Sequence, residues 1–247
     1  MLITGWGGGI GRATCLAFAR NGANVLGFDL DDKWIGSVQE QAGEASKHIH
    51  AVAGDVTKAS DVSNAVKMAE RLFGHLDVAI AAAGIQVVAP LEETLEEEWE
   101  RVLNVNLTGT WLLCKYSIRA LRRAGGGSII CLGSTLGLHP RANLGAYCVS
   151  KAGVSMLVRV FGREVAADGI RVVAVCPTGV KTPLLQGIAE GIARHSSGTQ
   201  GDAALLKDKP VRRWLEPEEV AEALVWMTHP ASTPVVGSSI PLDFGSA

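Results

Sequence analysis

The sequence predicts an α/β fold in which a parallel sheet is wound with helices on both faces. Three observations lead there. Short runs rich in Val and Ile alternate with longer helical patterns, as in repeated βαβ units. Hydrophobic residues make up 47% of the 247-residue chain, which suits strands buried on both faces and therefore apolar throughout. A glycine cluster, TGWGGGIG over Thr4 to Gly11, stands where the first strand would pass into the first helix.

Taken in order, strands are expected at Leu2–Thr4, Asn24–Asp29, Ile49–Asp55, Asp77–Ala82, Ser128–Leu132, Arg171–Cys176 and Ser239–Asp243. Helical patterns lie between them at Ile10–Asn21, around Lys33–Ser46, and at Ala59–Phe73, Leu95–Arg123, Ala146–Ala167 and Pro217–Met227. Thr94-Leu-Glu-Glu97 fits a capping box, with the Thr hydroxyl and the Glu carboxylate satisfying free amides at a helix start. Gly125-Gly-Gly127 ends a helical pattern and returns the chain to a strand. Right-handed crossovers place the helices on both faces. No internal repeat or long linker divides the chain, so residues 1–247 read as one domain. Leu184–Arg213 is the one long stretch outside the alternation, and long irregular insertions commonly serve as lids or binding loops. The first strand is a three-residue stub in a central position. The expectation is therefore a natural start several residues upstream, which an in-frame upstream start with apolar residues would support and a stop codon immediately before Met1 would contradict.

Composition narrows the function classes. The formal net charge is −2, which offers no electrostatic reason for a nucleic-acid or anionic-membrane partner. No apolar run approaches the roughly 20 residues that cross a bilayer. The N-terminus lacks the basic and apolar regions of a secretory signal. The five cysteines, Cys15, Cys114, Cys131, Cys148 and Cys176, are scattered without a CxxC pair. They read as reduced, buried thiols of a cytoplasmic protein, with no metal site.

The glycines of TGWGGGIG match T-G-x-x-x-G-x-G through Thr4, Gly5, Gly9 and Gly11. At a strand-to-helix turn, free N–H groups and the positive end of the helix dipole favour a pyrophosphate. Asp29, 18 residues after Gly11 at the end of the second strand, can accept both ribose hydroxyl protons and repel a 2′-phosphate. Asp31 and Asp32 add negative charge and Gly8 leaves the loop without a basic side chain, so the cofactor expected is NAD in preference to NADP. Asp55-Val56 ends the third strand, where the Asp either meets an adenine edge or caps the following helix. Tyr147-Cys-Val-Ser-Lys151 places a phenol and an ammonium four residues apart on one helix face. Bringing a tyrosine from pKa ~10 to near 7 takes roughly 4 kcal/mol. One cation at about 4 Å supplies energy of that order at an effective dielectric of about 20.

TGWGGGIG, Asp29, Asp55-Val56, Asn104-Val-Asn106, Gly133-Ser134, YCVSK and Pro177–Thr182 occur in this order over essentially the whole chain. Together they resemble the short-chain dehydrogenase/reductase family. The resemblance implies a single Rossmann domain with a seven-stranded parallel sheet and hydride transfer between a nicotinamide cofactor and an alcohol or carbonyl. It implies Tyr147 as general acid/base, Lys151 lowering its pKa and holding the nicotinamide ribose, and Ser134 bonding the substrate oxygen. Asn106 would hold a water that links the lysine to solvent. Cofactor contacts are implied at Gly5, Gly9, Ile10 and Gly11, at Asp29, Asp55, Val56 and Gly84, and at Lys151, Pro177, Val180 and Thr182. Pro210–Ala221 resembles the family segment before the last helix, and Gly245 its C-terminal glycine turn. The helices Leu95–Arg123 and Ala146–Ala167 are those through which the family commonly forms tetramers, so a homotetramer is expected.

The chain also departs from the pattern. Ala81-Ala-Ala83-Gly84 replaces the usual Asn-Asn-Ala-Gly, loosening the tie from the fourth strand, and Pro177-Thr178-Gly179 replaces a Pro-Gly turn. Trp6 is bulky for a phosphate loop and lies over either the ligand edge or the short first strand. A mostly apolar pocket wall is expected from Thr135, Leu136, Leu138, Val87, Val88, Leu184 and Leu185, which favours a hydrophobic or cyclic secondary alcohol. His139, His195 and Arg141 are the polar candidates to touch it. Two other readings stand beside the NAD-dependent dehydrogenase: an NADPH-dependent carbonyl reductase and a non-catalytic nucleotide-binding protein.

Overall fold

The computed structural model describes residues 1–31, 33–195, 206 and 210–246. Its strands are β1 (Leu2–Thr4), β2 (Val25–Asp29), β3 (Ile49–Ala53), β4 (Val78–Ala81), β5 (Gly127–Leu132), β6 (Ile170–Pro177) and β7 (Ser239–Leu242). All pair in parallel, in the order β3-β2-β1-β4-β5-β6-β7. The helices are α1 (Gly9–Arg20), α2 (Ile35–Ala42), α3 (Ala59–Phe73), α4 (Glu96–Leu103), α5 (Gly109–Ala124), α6 (Gly145–Val165), α7 (Pro183–His195) and α8 (Pro217–Trp226). β1 lies between β2 and β4, and the winding direction reverses there. In open α/β sheets, the crevice outside the carboxyl ends of the strands at such a reversal is where ligands bind.

Strand side chains alternate between two core layers. Leu2, Leu26, Ala79, Ile129 and Val172 pack with α3, α5 and α6. Ile3, Val25, Ile80, Ile130 and Val173 pack with α1 and α8. Burial on both faces is the physical reason these strands read as uninterrupted apolar runs.

Three local expectations change. The helical pattern Leu95–Arg123 contains a widened π turn at Asn104–Thr108 between α4 and α5. The Thr110 hydroxyl donates to the Asn106 carbonyl there at 2.7 Å, and such turns accompany functional sites often enough to direct attention to Asn106. The capping box shifts by one residue. Thr94 spends its hydroxyl on the Pro90 carbonyl (3.1 Å), and the Leu95 N–H donates to the Glu98 carboxylate (3.3 Å). Part of the expected irregular stretch Leu184–Arg213 is α7, whose helical pattern is blurred by Gly187 and Gly191; residues 196–205 and 207–209 of that stretch lie outside the described residues.

Trp6 takes the sheet side. It is fully buried in the second layer with Met1 and Ile3. A Cβ at Gly27 of β2 would overlap its indole ring, so the glycine in an otherwise apolar strand is the socket for this tryptophan. Overpacking of this kind typically costs about 1–3 kcal/mol. Gly27→Ala is expected to lower the urea midpoint by an equivalent of about 2 kcal/mol. A Trp6→Leu/Gly27→Ala double variant should lose less than the sum of the two singles, a coupling read directly by a double-mutant cycle.

Candidate active site

The turn after β1 folds tightly on itself. Gly5 has φ +68°, and a Cβ there would come within 2.5 Å of the Ala83 backbone; at Gly11 it would collide with the Gly5 carbonyl. These contacts keep side chains out for reasons of fold, while Gly8 stands at the N-cap of α1 with no side-chain cap. The start of α1 is thus left open toward an anion, with backbone amides and the positive helix end in place. The Asp29 carboxylate is set beside it by two backbone donors, Gly7 N–H at 3.0 Å and Leu30 N–H at 2.9 Å, which still leaves acceptor capacity on both oxygens. Asp32, expected to add negative charge nearby, lies outside the described residues. Asp55 accepts from the Thr57 N–H (2.9 Å) and hydroxyl (2.8 Å). It caps its own turn and also borders the cavity.

The link from β4 survives its missing asparagines. Thr4 Oγ1 accepts from the Ala82 and Ala83 N–H groups at 3.3 and 3.4 Å. Asn106 Oδ1 accepts from the Ile85 N–H (2.8 Å), while its Nδ2 donates to the Ile85 carbonyl (2.9 Å) and to Ser150 Oγ (3.0 Å). Ser150 in turn donates to the Tyr147 carbonyl at 2.7 Å. Asn106 therefore fastens the β4 loop to the helix that carries the tyrosine, from a fully buried position behind the cavity wall.

At the far end of β5 the chain turns at Gly133-Ser134, and α6 presents Tyr147 and Lys151 to the same space. Lys151 Nζ donates to the Leu132 carbonyl at 2.7 Å and stands 5.7 Å from the Tyr147 ring centroid. Tyr147 is hydrogen-bonded to the Ser134 side chain, and Ser134 Oγ accepts from the Leu136 N–H at 3.1 Å. Tyr147 and Lys151 keep only 7% and 4% exposure. Burial dominates both titrations in the protein by itself. It pushes the Tyr147 phenol up to about 12, opposed by the Ser134 hydrogen bond, and pushes the Lys151 ammonium down to about 8. The expected lowering of the tyrosine by its lysine is not found in the protein by itself, where desolvation of the phenolate dominates.

The remaining wall comes from the loop after β6. The Thr182 hydroxyl donates to the Val180 carbonyl (3.1 Å) and accepts from the Leu185 N–H (3.3 Å) at the start of α7. Its methyl group lies against Gly9, closing the cradle across the phosphate loop. Leu215 pairs with this loop through Leu215 N–H to the Gly179 carbonyl (3.0 Å) and Lys181 N–H to the Leu215 carbonyl (2.9 Å). A Cβ at Gly179 would strike the Trp214 ring, which explains why the turn reads Pro-Thr-Gly. Asp29, Ser134, Tyr147, Lys151, Thr182 and Trp214 border one continuous cavity of about 1250 Å³, above the roughly 300–1,000 Å³ of a single small-molecule site.

The sequence profile of the family described as Enoyl-(Acyl carrier protein) reductase matches residues 5–247. Cis-4-hydroxycyclohexanecarboxylate dehydrogenase of Sinomonas cyclohexanicum is 35% identical over 99% of this chain and 94% of its own. The chain belongs to the short-chain dehydrogenase/reductase family. Two solved structures extend the likeness. The 3-ketoacyl-(acyl-carrier-protein) reductase from Brucella melitensis complexed with NADH has a TM-score of 0.87 at 30% identity, covering 99% of this chain and 96% of that one. A variant of actinorhodin polyketide ketoreductase with NADPH has a TM-score of 0.93 at 25% identity, covering 100% and 97%. Short-chain dehydrogenase/reductases are oxidoreductases of alcohols and ketones that use a nicotinamide cofactor. The uncapped α1 turn beside an oriented carboxylate fits the pyrophosphate and ribose of such a cofactor.

Of the expected site residues, Gly5, Gly9, Ile10, Gly11 and Asp29 border this cavity, as do Asp55, Val56 and Gly84. So do Ser134, Tyr147, Lys151, Pro177, Val180 and Thr182, with Asn106 alone behind the wall. Thr135, Leu136, Leu184 and Leu185 reach it. Leu138 instead packs against the first core layer, Val88 packs in the small cluster under α7, and His139 is exposed. The side chain of His195 lies outside what the structure describes. Several bordering residues carry no motif, among them Arg12, Trp34 and Trp214. Trp34 occupies the space above Gly7 and takes the Arg12 guanidinium over its ring at 5.3 Å from the centroid. The only signal for these tryptophans is their pairing with Gly7 and Gly179, visible once the chain is folded.

Holding the Lys151 charge inside the protein corresponds to about 3 kcal/mol of stability given up. Its folded pKa is depressed, so the penalty is full below about pH 8. Between there and about pH 10.5 the folded protein sheds the proton while the unfolded chain keeps it, and the penalty fades. Lys151→Met, which also loses the bond to Leu132, is expected to be more stable than wild type by about 1–2 kcal/mol at pH 7. Chemical denaturation should show that gain shrinking toward about pH 10.

Proposed function

We propose that the protein is an NAD-dependent dehydrogenase of secondary alcohols, apolar or cyclic, able to run in reverse as a ketone reductase. The observation that carries this reading is that Tyr147, Ser134 and Lys151 converge on the same cavity that the Asp29 carboxylate borders. The cofactor, when bound, supplies the hydride acceptor or donor and, when oxidised, a positive charge. The protein's part is proton transfer and positioning. Ser134 offers its hydroxyl to the substrate oxygen, Tyr147 exchanges the hydroxyl proton with it, and Lys151 stabilises the phenolate. Leu132 and Asn106 keep the lysine and α6 in register as positioning groups.

Asp29 supports NAD. A carboxylate held by two amides cannot swing away from a 2′-phosphate, so the like-charge cost falls on NADP. The apolar walls at Leu136, Leu144, Ile188 and Trp214 support a hydrophobic ring or chain on the alcohol, and a 35% identical relative is named for a cyclic hydroxy acid. α7 serves in this reading as the described part of the substrate lid. Exposed Trp111, Val149, Met156 and Val160 on α5 and α6 support a homotetramer, and the absence of a membrane-crossing helix among the described residues is compatible with a cytoplasmic enzyme.

Tyr147→Phe is expected to lower kcat by about 10³-fold or more while NAD binding is retained in equilibrium titration, since general acid/base groups contribute about 10²–10⁴. Retained turnover would end the assignment. In steady-state kinetics with both cofactors, NAD should give the higher kcat/KM, and Asp29→Ala should narrow the gap by about tenfold. A wild-type preference for NADP(H) would favour the carbonyl-reductase reading.

A further inference from the structure

We propose that Arg141 is a carboxylate anchor, so that the preferred substrate is an apolar secondary alcohol carrying an anionic group at its far end. The inference rests on the dehydrogenase reading above and adds a substrate class to it. The charged groups around the cavity are nearly all committed. Arg12 donates to Ser37 Oγ at 3.2 Å and lies over Trp34. Asp29 and Asp55 hold backbone or hydroxyl donors, and Lys151 is bound to the Leu132 carbonyl. On α4, Arg101 stands next to Glu100 and one helical turn from Glu97, so the charge there is net negative. Arg141 differs. Among the described residues its guanidinium has no ion pair and no hydrogen bond, yet it borders the cavity.

Its place is fixed from behind. The Arg141 carbonyl accepts from the Leu144 N–H at 3.4 Å and from Cys148 Sγ at 3.9 Å. That pins the residue to the first turns of α6, six positions before Tyr147. Leu136 and Leu144 border the same cavity and pack with Ile188 and Trp214 in one apolar cluster. A substrate with its hydroxyl at Ser134 and Tyr147 would therefore share the cavity with this apolar cluster and with the exposed Arg141 cation. A guanidinium presents a planar fork of N–H donors that matches a carboxylate in two parallel bonds. Because Arg141 is exposed, the effect should be moderate, on the order of tenfold in specificity, and should appear mainly in KM.

The test compares 4-hydroxycyclohexanecarboxylate with its methyl ester, using NAD and wild-type, Arg141→Ala and Arg141→Lys enzymes. The expected acid-to-ester ratio of kcat/KM is about 10 or more in wild type, about 1 in Arg141→Ala, and intermediate in Arg141→Lys. Because each ratio is internal to one enzyme preparation, partial misfolding of a variant does not disturb it. Cyclohexanecarboxylate, which has no hydroxyl to oxidise, should raise the Tm of wild type and not of Arg141→Ala. Equal ratios in wild type and Arg141→Ala, or a Tm shift common to both, would overturn the anchor while leaving the dehydrogenase intact. Failure of wild type to oxidise acid, ester and cyclohexanol alike would instead count against the dehydrogenase reading. An unchanged wild-type Tm would count against the anchor.

Discussion

The buried ammonium of Lys151 is the constraint around which the site is arranged. A cation with 4% exposure and one carbonyl partner is expensive to keep, and nothing in the packing of the core requires it. Its partner is Leu132, the last residue of β5, so the position of the charge is set by the sheet itself and not by a loop. The same burial raises the Tyr147 phenol to about 12. In the protein alone the tyrosine keeps its proton, and the lysine, lowered to about 8 by burial, is still charged at neutral pH. Added positive charge beside them would lower the phenol, because in a dry site each charge acts with little screening. In the proposed mechanism the tyrosine is consequently competent as a base only with oxidised cofactor in place, and otherwise holds its proton ready as the acid of the reverse reaction.

The support for this pair comes from an unusual use of small residues. Gly7, Gly27 and Gly179 each make room for an indole, those of Trp34, Trp6 and Trp214 respectively. Trp6 fills the second core layer beneath the short β1, Trp34 lines the cavity over the glycine turn, and Trp214 holds the loop that carries Val180 and Thr182. Two of the three sockets thus shape the cavity and the third stiffens the strand it opens from. Interiors packed at crystal-like density transmit such changes over short distances, so these glycines belong to the site even though none of them offers a side chain to a ligand.

Much of this architecture is legible in the chain. The apolar runs place all seven strands to within two residues, since strands buried on both faces announce themselves by composition. The family pattern points to Ser134, Tyr147 and Lys151 together because chemistry ties them to fixed spacings. What the chain conceals has physical causes. The π turn at Asn104–Thr108 keeps the helical spacing of apolar residues almost undisturbed, so the pattern Leu95–Arg123 runs straight through it. α7 is masked by Gly187 and Gly191, whose low helix propensity is offset by packing against Gln86 and Val88. The offset of the cap at Thr94 follows from Pro90, whose carbonyl takes the threonine hydroxyl. Trp6 cannot be assigned a side from sequence because its socket, Gly27, lies 21 residues away and becomes its neighbour only through the pairing of β1 with β2. The weight of desolvation on Tyr147 is likewise invisible, since a spacing of four residues says nothing about how dry the helix face is.

The most direct test of the account is the ionisation of Tyr147 itself. The chain has two tyrosines, so in a Tyr116→Phe variant the tyrosinate absorbance in the near ultraviolet belongs to Tyr147 alone. The account predicts a midpoint well above the ordinary value of about 10 in the protein without cofactor, and a fall of several pH units when the enzyme is saturated with NAD in its oxidised form. A midpoint that is the same with and without the dinucleotide would contradict it.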